Sequence, residues 1–418
     1  MKRRLLSLFA LFTLVLTLSF SSTAYAAEDP NIIGTSAIIV DLNSDEIIYS
    51  KNMDELKQPA SITKLMTALL LAENKTRTDL LTYSEDALAQ DPFSYGLNVH
   101  PVQPGEKFTG DNAMKILLLY SGNDVAYMIG ENVGGTAEAF VQMMNDKAKE
   151  LGMTNTHFVT PNGLDDNTDD HYTTAYDLTL LLKAAYNNDW VREVIGMQKA
   201  EVSSVNGISA EVENRNKLVG TNGNIGGKTG YTDKSGRCLA SLYERNGRVL
   251  AVVVLNSEYN LPEDTKVFED TETLADYGFS AEKQSYKASG TEITEVTIDY
   301  NILPFIGPKK TAKIPLTIHN DINLYNSGIE PEFSYTTNDI NMWSLDTNKA
   351  VGTATVSVKG YTQSYDVYPT LSKKDIMKNN ILYYIVAGLA VIAIISLIII
   401  IIAKIKRRNR RRRRRVYR

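Results

Sequence analysis

Hydrophobic and polar positions near the start of the chain predict a hairpin of strands that leads into a buried helix. Apolar residues cluster at positions 37–40 and 47–49, and the turn-forming residues 43–45 lie between the two clusters. The following positions, 61–73, are apolar on nearly all sides, which is typical of a helix buried in the middle of a domain.

Helical periodicity continues through the middle of the chain. Positions 110–120 are mostly apolar and follow Thr109, a residue type that caps helix N-termini. Apolar positions at helical spacing also predict helices at 136–151 and 174–187. Residues 160–171, between these two helices, are rich in Pro, Gly, Asn and Asp, which indicates a long loop.

Beyond residue 200 the pattern changes to that of strands. Lys228 begins one such stretch, and the runs at 236–243 and 248–255 flank Asn246-Gly247, a dipeptide typical of tight hairpin turns. Strands at both ends of this region, with helices between them, predict an α/β domain built on an antiparallel sheet with a helical cluster.

A second, smaller domain is indicated by a change in composition. Residues 292–368 are rich in Thr, Val, Ile and Tyr and contain short runs that alternate between apolar and polar. We therefore expect a first domain at residues 27–282, a small all-β domain at 283–372 and a linker at 373–380.

Both ends of the chain carry membrane-related patterns. Residues 1–26 combine a basic start, an apolar run and small residues before a cleavage point after Ala26, which predicts a secretory signal peptide. An uncleaved N-terminal membrane helix is the alternative interpretation. Residues 381–403 carry no charge and predict a transmembrane helix.

The last residues predict how this helix is oriented. Residues 404–418 hold eleven basic residues and no acidic one, so the positive-inside rule places them in the cytoplasm and the folded domains outside the cell. A tail that binds nucleic acid would require the apolar run to be something other than a membrane span. We expect a single-pass protein of the cell membrane with its first domain extracellular.

The charge of the outer part argues against nucleic acid as its partner. The chain has 44 basic and 49 acidic residues, and removing the three basic residues of the signal and the eleven of the tail leaves 30 basic ones. The outer part therefore carries a net charge of about minus 19, which repels nucleic acid. Cys238 has no second cysteine to pair with, and its apolar strand setting argues against a role as nucleophile.

The strongest chemical signal is the sequence Ser61-Ile62-Thr63-Lys64. Positions i and i+3 lie on one face of a helix, so a hydroxyl and an amine meet before any tertiary contact forms. A serine is a poor nucleophile until a base takes its proton, and a lysine serves as that base only if burial or a second cation keeps it neutral. Ser61 is thus the candidate nucleophile and Lys64 the candidate base.

Two later motifs supply groups for the same chemistry. In Ser121-Gly122-Asn123, Ser121 can relay a proton and Asn123 can hold a substrate amide. In Lys228-Thr229-Gly230, Lys228 is the second cation and Thr229 can bind a carboxylate beside it.

The same motifs predict backbone contacts with a substrate. Gly230 lets a substrate backbone lie against the strand edge. The backbone N–H groups of Ser61 and Tyr231 are the expected donors to an oxyanion.

Other residues compete poorly for these roles. Ser-x-x-Lys recurs at Ser280 and Ser-x-Asn recurs at Ser204, whereas Lys-Thr-Gly is unique. No further Ser-x-Asn or Lys-Thr-Gly follows Ser280, so we interpret that copy as a coincidence. The four histidines are scattered without metal-ligand spacing, and His171 is expected to be a structural residue at the start of a helix. We predict no metal and no cofactor.

The three motifs, in this order, resemble those of the penicillin-binding protein and serine β-lactamase superfamily. Further matches resemble the low-molecular-mass D-alanyl-D-alanine carboxypeptidases, peptidase family S11. These matches are Thr160-Pro161-Asn162-Gly163-Leu164, Thr174-Ala175-Tyr176-Asp177-Leu178, Asn214-Arg215-Asn216 and Tyr231-Thr232-Asp233.

This resemblance covers about residues 30–280 and implies a β-lactamase/transpeptidase-like domain. It implies removal of the terminal D-alanine from peptidoglycan stem pentapeptides through an acyl-enzyme on Ser61, and acylation of Ser61 by β-lactam antibiotics. An arginine that holds the substrate carboxylate in some relatives has no clear counterpart, and Lys266 is the nearest candidate.

Three other functions remain as alternatives. A DD-endopeptidase that cuts cross-links shares every motif. A β-lactamase of class A would need a glutamate in residues 160–171, which contain none, and Gly122 replaces the usual aspartate of the second motif. A non-enzymatic protein that binds or senses the cell wall would not need Ser61, Lys64 and Lys228.

Overall fold

The computed structural model describes residues 29–90, 102–164, 168–205, 207, 209–304, 307–325 and 327–416. Contacts between Cα atoms divide the chain into two compact units, Met1–Glu282 and Lys283–Arg418. The predicted signal segment, residues 1–26, lies outside the described residues and stays a prediction.

The first unit is built around an antiparallel sheet. Its described strands, in chain order, are β1 (Ser36–Asp41), β2 (Glu46–Lys51), β3 (Leu80–Thr82), β4 (Lys107–Thr109), β5 (Lys199–Val202), β6 (Ala210–Glu213), β7 (Asn224–Thr232), β8 (Gly236–Arg245) and β9 (Arg248–Ser257). Five of them form the main sheet in the order β2-β1-β9-β8-β7, and β3-β4 and β5-β6 form small separate pairs. The expected α/β domain with an antiparallel sheet is confirmed.

Pairing of β1 with β9 joins the two ends of this unit. Ser36 lies opposite Leu255 and Asp41 opposite Leu250, so strands more than 200 residues apart in sequence are neighbours. The β8–β9 hairpin turns at Asn246 and Gly247, whose φ angles of 54° and 78° are both left-handed. Such turns match the twist of the flanking strands, which is why Asn-Gly predicted this hairpin correctly.

The helices of the first unit lie mainly between the two groups of strands. In chain order they are α1 (Lys64–Asn74), α2 (Glu85–Leu88), α3 (Gly110–Lys115), α4 (Asn123–Gly134), α5 (Ala137–Glu150), α6 (Ala175–Asn187), α7 (Asp189–Ile195) and α8 (Lys266–Ser280). A 3₁₀ turn, Ala60–Thr63, precedes α1, and a π turn, Ile116–Tyr120, follows α3.

Threonine caps fix the start of three of these helices. The hydroxyl of Thr109 accepts a hydrogen bond from Asn112 N at the start of α3. In the same way Thr136 accepts from Ala139 N at the start of α5, and Thr174 accepts from Asp177 N at the start of α6. Each cap satisfies a backbone N–H that has no partner inside its helix.

The main sheet is covered on both faces. Strands β8 and β9 are buried along nearly their whole length, and α6 and α8 both contact them. Helix α8 was not predicted, because only strands were expected after residue 200. Its buried residues Val267, Phe268 and Leu274 are spaced to form one helical face.

The second unit has a β-sheet core of its own. Its described strands are β10 (Gln284–Lys287), β11 (Glu292–Asn301), β12 (Lys309–Ile318), β13 (Ile322–Leu324), β14 (Glu332–Thr337), β15 (Gly352–Val358) and β16 (Tyr361–Pro369). Five of them form an antiparallel sheet in the order β11-β12-β16-β15-β14. Alternate residues such as Ile314, Leu316 and Ile318 are buried, in agreement with the predicted all-β domain.

Two helices end the described chain, α9 (Lys373–Asn379) and α10 (Ile381–Val416). Within α10, the stretch Ile381–Arg411 is long and apolar enough to cross a membrane by length and composition, and none of its most apolar window is buried in the protein. The expected apolar C-terminal helix is therefore present.

Candidate active site

The candidate nucleophile Ser61 lies in a tight turn at the start of a buried helix. The 3₁₀ turn Ala60–Thr63 is closed by a hydrogen bond of 3.1 Å from Ile62 N to Pro59 O. Helix α1 then continues with Lys64, Leu65 and Met66 fully buried. Burial of this helix fixes the position of Ser61, a residue that remains 9% exposed and lines a groove.

Lys64 meets Ser61 as predicted. Its Nζ lies 2.8 Å from Ser61 Oγ, 2.7 Å from Asn123 Oδ1 and 2.6 Å from the backbone oxygen of Asn162. The two oxygens of Asn123 and Asn162 can only accept hydrogen bonds. A neutral amine would donate its two N–H groups to them and leave its lone pair facing the hydroxyl of Ser61.

Burial and a neighbouring cation both favour this neutral form. The pKa of Lys64 is well below its usual value, first because the amine is buried and second because of the positive charge of Lys228. The carboxylate of Asp124 opposes this shift but does not cancel it. Lys64 therefore has both the position and the proton affinity that a general base needs.

Lys228 lies in the middle of β7. The sequence analysis placed it at the start of that strand, which is wrong. Strand β7 begins at Asn224 and includes Gly226 and Gly227, whose φ angles are 145° and 157°. Two glycines weaken the sequence pattern of a strand, so the beginning of β7 was not recognised. Lys228 Nζ lies 2.9 Å from Ser121 Oγ and 2.9 Å from Thr229 O. Burial, with Arg237 and Arg215 nearby, lowers the pKa of Lys228 to about 7.

Ser121 is held at the end of the π turn in a left-handed conformation, with φ 72° and ψ 39°. This conformation is uncommon for a serine and occurs where the surrounding structure enforces it. It ends the preceding helical segment and turns the Ser121 hydroxyl toward Lys228. Asn123 then begins α4, a helix that the sequence analysis missed.

The side-chain NH2 group of Asn123 is available to bind a ligand. Its Oδ1 accepts a hydrogen bond from Lys64, whereas its Nδ2 is buried and has no hydrogen-bond partner in the described part of the chain. A buried donor without a partner is costly, so a substrate carbonyl placed there would be bound favourably.

Gly230 lies where strand β7 and the nucleophile turn come close together. A Cβ atom at this position would lie 2.9 Å from Pro59 O and 3.2 Å from Ser61 N. The absence of a side chain therefore lets the nucleophile turn pack against β7. The predicted contact of a substrate backbone with this strand edge stays a prediction. The two expected oxyanion donors, the N–H groups of Ser61 and Tyr231, belong to these adjoining segments.

A loop residue that was not singled out for chemistry also contacts the site. Gly163 has a φ of 88°, and a Cβ there would lie 1.9 Å from Ala60 O. This close approach brings the backbone oxygen of Asn162 to Lys64. The motif Thr160–Leu164 was the available signal, although it gave no indication that a main-chain atom would be used.

His171 connects the same loop to the nucleophile turn. Its Nδ1 accepts a hydrogen bond of 3.2 Å from Val159 N, which places the ring proton on Nε2, 2.9 Å from Thr63 Oγ1. Burial lowers the pKa of His171 to about 3, so the ring is neutral near pH 7. This agrees with the structural role expected for His171.

The groove in front of Ser61 has a volume of about 450 Å³. The predicted residues Ser61, Ser121, Thr229, Gly230 and Tyr231 contribute to its lining. Lys64, Asn123 and Lys228 lie behind that surface and are fully buried.

The structure places arginines, not Lys266, in this groove. Arg215 and Arg237 both line it, whereas Lys266 is outside the lining and pairs with Glu269 at 2.9 Å. Arg237 lies opposite Tyr231 in the β7–β8 pairing. The register of the β7–β8 hairpin could have identified Arg237 as a groove residue. The sequence around Arg237 contains no motif that marks it.

Ser280 and Cys238, to which the sequence analysis gave no catalytic role, lie outside the site. Ser280 is exposed at the end of α8 and donates to Tyr277 O. Cys238 is fully buried in β8. Among the described residues, no group of His, Cys, Asp and Glu side chains is arranged to hold a metal ion.

The sequence and the fold of this chain are similar to those of known proteins. Residues 23–259 match the model of the family Peptidase S11, D-alanyl-D-alanine carboxypeptidase. The chain is 31% identical to the D-alanyl-D-alanine carboxypeptidase DacF of Bacillus subtilis over 259 residues, which is 60% of this chain and 66% of DacF. It therefore spans slightly less than two thirds of that relative's length.

Two other relatives extend the comparison. A D-alanyl-D-alanine endopeptidase of Escherichia coli is 33% identical over 261 residues, covering 60% of this chain and 82% of that protein. The structure of penicillin-binding protein D2 from Listeria monocytogenes in the cefotaxime-bound form is similar, with a TM-score of 0.53 and 29% identity. That similarity covers 60% of this chain and 99% of the other.

Proposed function

The chain belongs to the peptidase S11 family, and we propose that it is a serine D-alanyl-D-alanine carboxypeptidase that removes the terminal D-alanine from peptidoglycan stem pentapeptides. The observation that carries this proposal is the distance of 2.8 Å between Lys64 Nζ and Ser61 Oγ in a buried setting that favours the neutral amine. That arrangement gives a serine hydroxyl the base it needs to attack a carbonyl carbon.

In the acylation step, Lys64 takes the proton of Ser61 while Oγ bonds to the carbonyl carbon of the penultimate D-alanine. The backbone N–H groups of Ser61 and Tyr231 stabilise the negative oxygen that forms. The leaving nitrogen needs a proton as its bond to carbon breaks. Ser121, bonded to Lys228 at 2.9 Å, is the group that supplies it.

Cations at the far side of the groove bind the terminal carboxylate of the substrate. Thr229 offers a hydroxyl there, and Lys228, Arg215 and Arg237 supply positive charge. On the acyl side, the unpartnered Nδ2 of Asn123 donates to a substrate carbonyl. These contacts orient the peptide bond over Ser61 Oγ.

Hydrolysis of the acyl-enzyme regenerates Ser61. After Ser121 has given its proton to the leaving nitrogen, it is reprotonated by the proton that Lys64 took from Ser61. The amine of Lys64 is then neutral again and can activate water. A β-lactam differs because its leaving nitrogen stays attached to the acyl group, so the ester persists. A related penicillin-binding protein has been solved with cefotaxime bound, and we propose that β-lactams acylate Ser61 here.

A DD-endopeptidase activity on cross-linked peptides is the second candidate. It is supported by the 33% identity to an E. coli D-alanyl-D-alanine endopeptidase over most of that protein's length. The same nucleophile and base would serve, and only the size of the leaving group would differ.

The outer part of the chain would act at the membrane surface. The apolar stretch Ile381–Arg411 supports a single membrane span, and the basic residues at 404–418 support a cytoplasmic tail. Residues 1–26 would direct export, which leaves residues 27–372 outside the cell, where peptidoglycan is found.

Incubation of the purified protein with defined muropeptides tests the proposal. We expect mass spectrometry to show loss of one D-alanine from pentapeptide monomers, and Ser61→Ala to abolish it. Cleavage of cross-linked dimers without trimming of monomers would favour the endopeptidase instead. Equal trimming by wild type and Ser61→Ala would contradict both.

A further inference from the structure

The groove contains a carboxylate of its own that already occupies one of the cations. Asp264 lies in the loop between β9 and α8 and lines the groove together with Arg237. Its Oδ1 accepts a hydrogen bond of 2.7 Å from Arg237 Nε, and its Oδ2 accepts another from Arg237 Nη2. This paired geometry is the one a guanidinium also offers to a substrate carboxylate.

The pair is part of a fixed arrangement rather than a chance surface contact. The side chains of Arg237 and Asp264 are 7% and 15% exposed. The guanidinium lies 5.2 Å from the ring centre of Tyr259 and 6.0 Å from that of Phe268.

The loop that carries Asp264 is held from both sides. Asp264 N donates to Asn260 O at 2.7 Å, and Lys217 Nζ lies 3.1 Å from Asp264 O. Lys217 Nζ also lies 3.6 Å from Asp264 Oδ2. Asp264 therefore lowers the positive charge that two groove cations present to a ligand.

We propose that Asp264 is a specificity-determining residue that competes with the substrate's terminal carboxylate for Arg237. This inference rests on the proposed function, in which the groove binds a peptide ending in a carboxylate. An incoming carboxylate must either displace Asp264 from the guanidinium or bind to a cation whose charge is largely compensated. Asp264 thus reduces the advantage of a carboxylate-ended substrate over a neutral-ended one.

The substitution Asp264→Asn tests this competition because it removes the charge and keeps the shape. An asparagine Oδ1 can still accept the Arg237 Nε hydrogen bond, so the guanidinium stays in place. We expect the ratio of kcat/KM for a peptide ending in D-Ala-D-Ala to kcat/KM for its terminal carboxamide to rise roughly tenfold, which corresponds to about 1.4 kcal/mol.

Asp276→Asn is the matched control. It makes the same chemical change and removes the negative charge from the partner of Arg245, in an ion pair that lies outside the groove lining. The selectivity ratio of this variant should equal that of the wild type. Arg237→Ala should lower the ratio, and combining it with Asp264→Asn should remove the gain.

Acylation by benzylpenicillin and by its methyl ester separates this inference from the proposed function. We expect Asp264→Asn to accelerate acylation by the free acid more than by the ester. Penicillin acylation without any peptide hydrolysis would contradict the proposed function, and the acid-to-ester ratio would still decide the role of Asp264. An unchanged or lower ratio in both assays would overturn the inference and show that Asp264 supports Arg237 instead.

Discussion

At the scale of single residues, the charge state of Lys64 decides whether Ser61 can react. The three oxygen atoms around Nζ accommodate either an ammonium that donates three hydrogen bonds or an amine that donates two and accepts one. Burial and the charge of Lys228 shift this balance toward the amine. The charge state of Lys64 therefore depends on Lys228, although only Lys64 contacts the nucleophile.

Removing the charge of Lys228 should make Lys64 harder to deprotonate. In Lys228→Gln the pKa of Lys64 rises because a neighbouring positive charge is lost, so the acid limb of the acylation rate moves to higher pH. The maximal rate should fall roughly 10- to 100-fold, because a charged hydrogen bond to the ligand is lost. Stopped-flow acylation by a fluorescent penicillin measures both, and an acid limb at the wild-type position would contradict the coupling.

His171 should make the protein less stable in acid. Its pKa is about 3 in the folded protein, against about 6.5 in an unfolded chain. Between pH 3 and pH 6.5 the unfolded state therefore binds a proton at His171 that the native state does not bind. The free energy of unfolding falls as the pH drops from 6.5 toward 3. The stabilisation is complete above pH 6.5.

Replacing His171 by glutamine removes this dependence. The free energy of unfolding of His171→Gln should fall less steeply below pH 6.5, by about 1.4 kcal/mol per pH unit. Equilibrium urea unfolding at a series of pH values measures the slope. Parallel pH profiles for wild type and variant would show that His171 is not kept neutral by the fold.

At the scale of elements, the site depends on three segments that approach one another without intervening side chains. The nucleophile turn Ala60–Thr63 packs against β7 at Gly230 and against the loop at Gly163. Each glycine leaves room for a backbone where any Cβ would collide. The loop then supplies the oxygen of Asn162 to Lys64, and the strand supplies Lys228.

Gly163→Ala should separate the loop from the nucleophile turn. Its Cβ would lie 1.9 Å from Ala60 O at a left-handed φ, so we expect a loss of about 3 kcal/mol or more in stability and a large loss of acylation. Gly105→Ala is the control, because Gly105 has a φ of 92° and no atom within 4 Å of a built Cβ. That variant should lose only about 1–2 kcal/mol and acylate normally. Equal losses in both variants would mean that backbone strain alone, and not the contact, matters.

The elements that sequence predicted are those whose signals are local. The N-cap at Thr109 and the turn at Asn246-Gly247 each act on neighbouring backbone groups and were recognised correctly. The caps at Thr136 and Thr174 were not predicted, although the helices that they begin were. The start of β7 was misplaced because Gly226 and Gly227 weaken the strand pattern.

The parts of the site that sequence missed depend on tertiary contacts. Arg237 becomes part of the groove only through the register of β7 with β8, and Asn162 through a main-chain atom. By contrast, Ser61 and Lys64 were found because their spacing brings them together on one helical turn.

At the scale of the whole molecule, the described residues form an α/β unit and a β-rich unit that includes a C-terminal apolar helix. The first unit, Met1–Glu282, contains every residue to which we assign a chemical role. The apolar stretch in α10 begins at Ile381, after the last strand of the second unit. Membrane attachment and catalysis should therefore be separable by truncation.

Truncation at two points tests this separation. A chain ending at residue 380 should appear in the soluble fraction, because it lacks the whole apolar stretch, and should still be acylated by penicillin. A chain ending at residue 403 keeps the predicted span and loses only the basic tail, so it should remain in the membrane fraction. Release of both chains, or of neither, would contradict the assignment of residues 381–403 as the anchor.

The most direct test of the account is the site and chemistry of acylation in the full-length protein. After incubation with benzylpenicillin, intact-mass and peptide-mapping mass spectrometry should find one penicilloyl group per chain, attached to Ser61. Lys64→Ala should retain the fold and form the adduct much more slowly, because the base that takes the proton of Ser61 is missing. An adduct on another residue, or equally fast acylation without the amine of Lys64, would show that Lys64 does not activate Ser61.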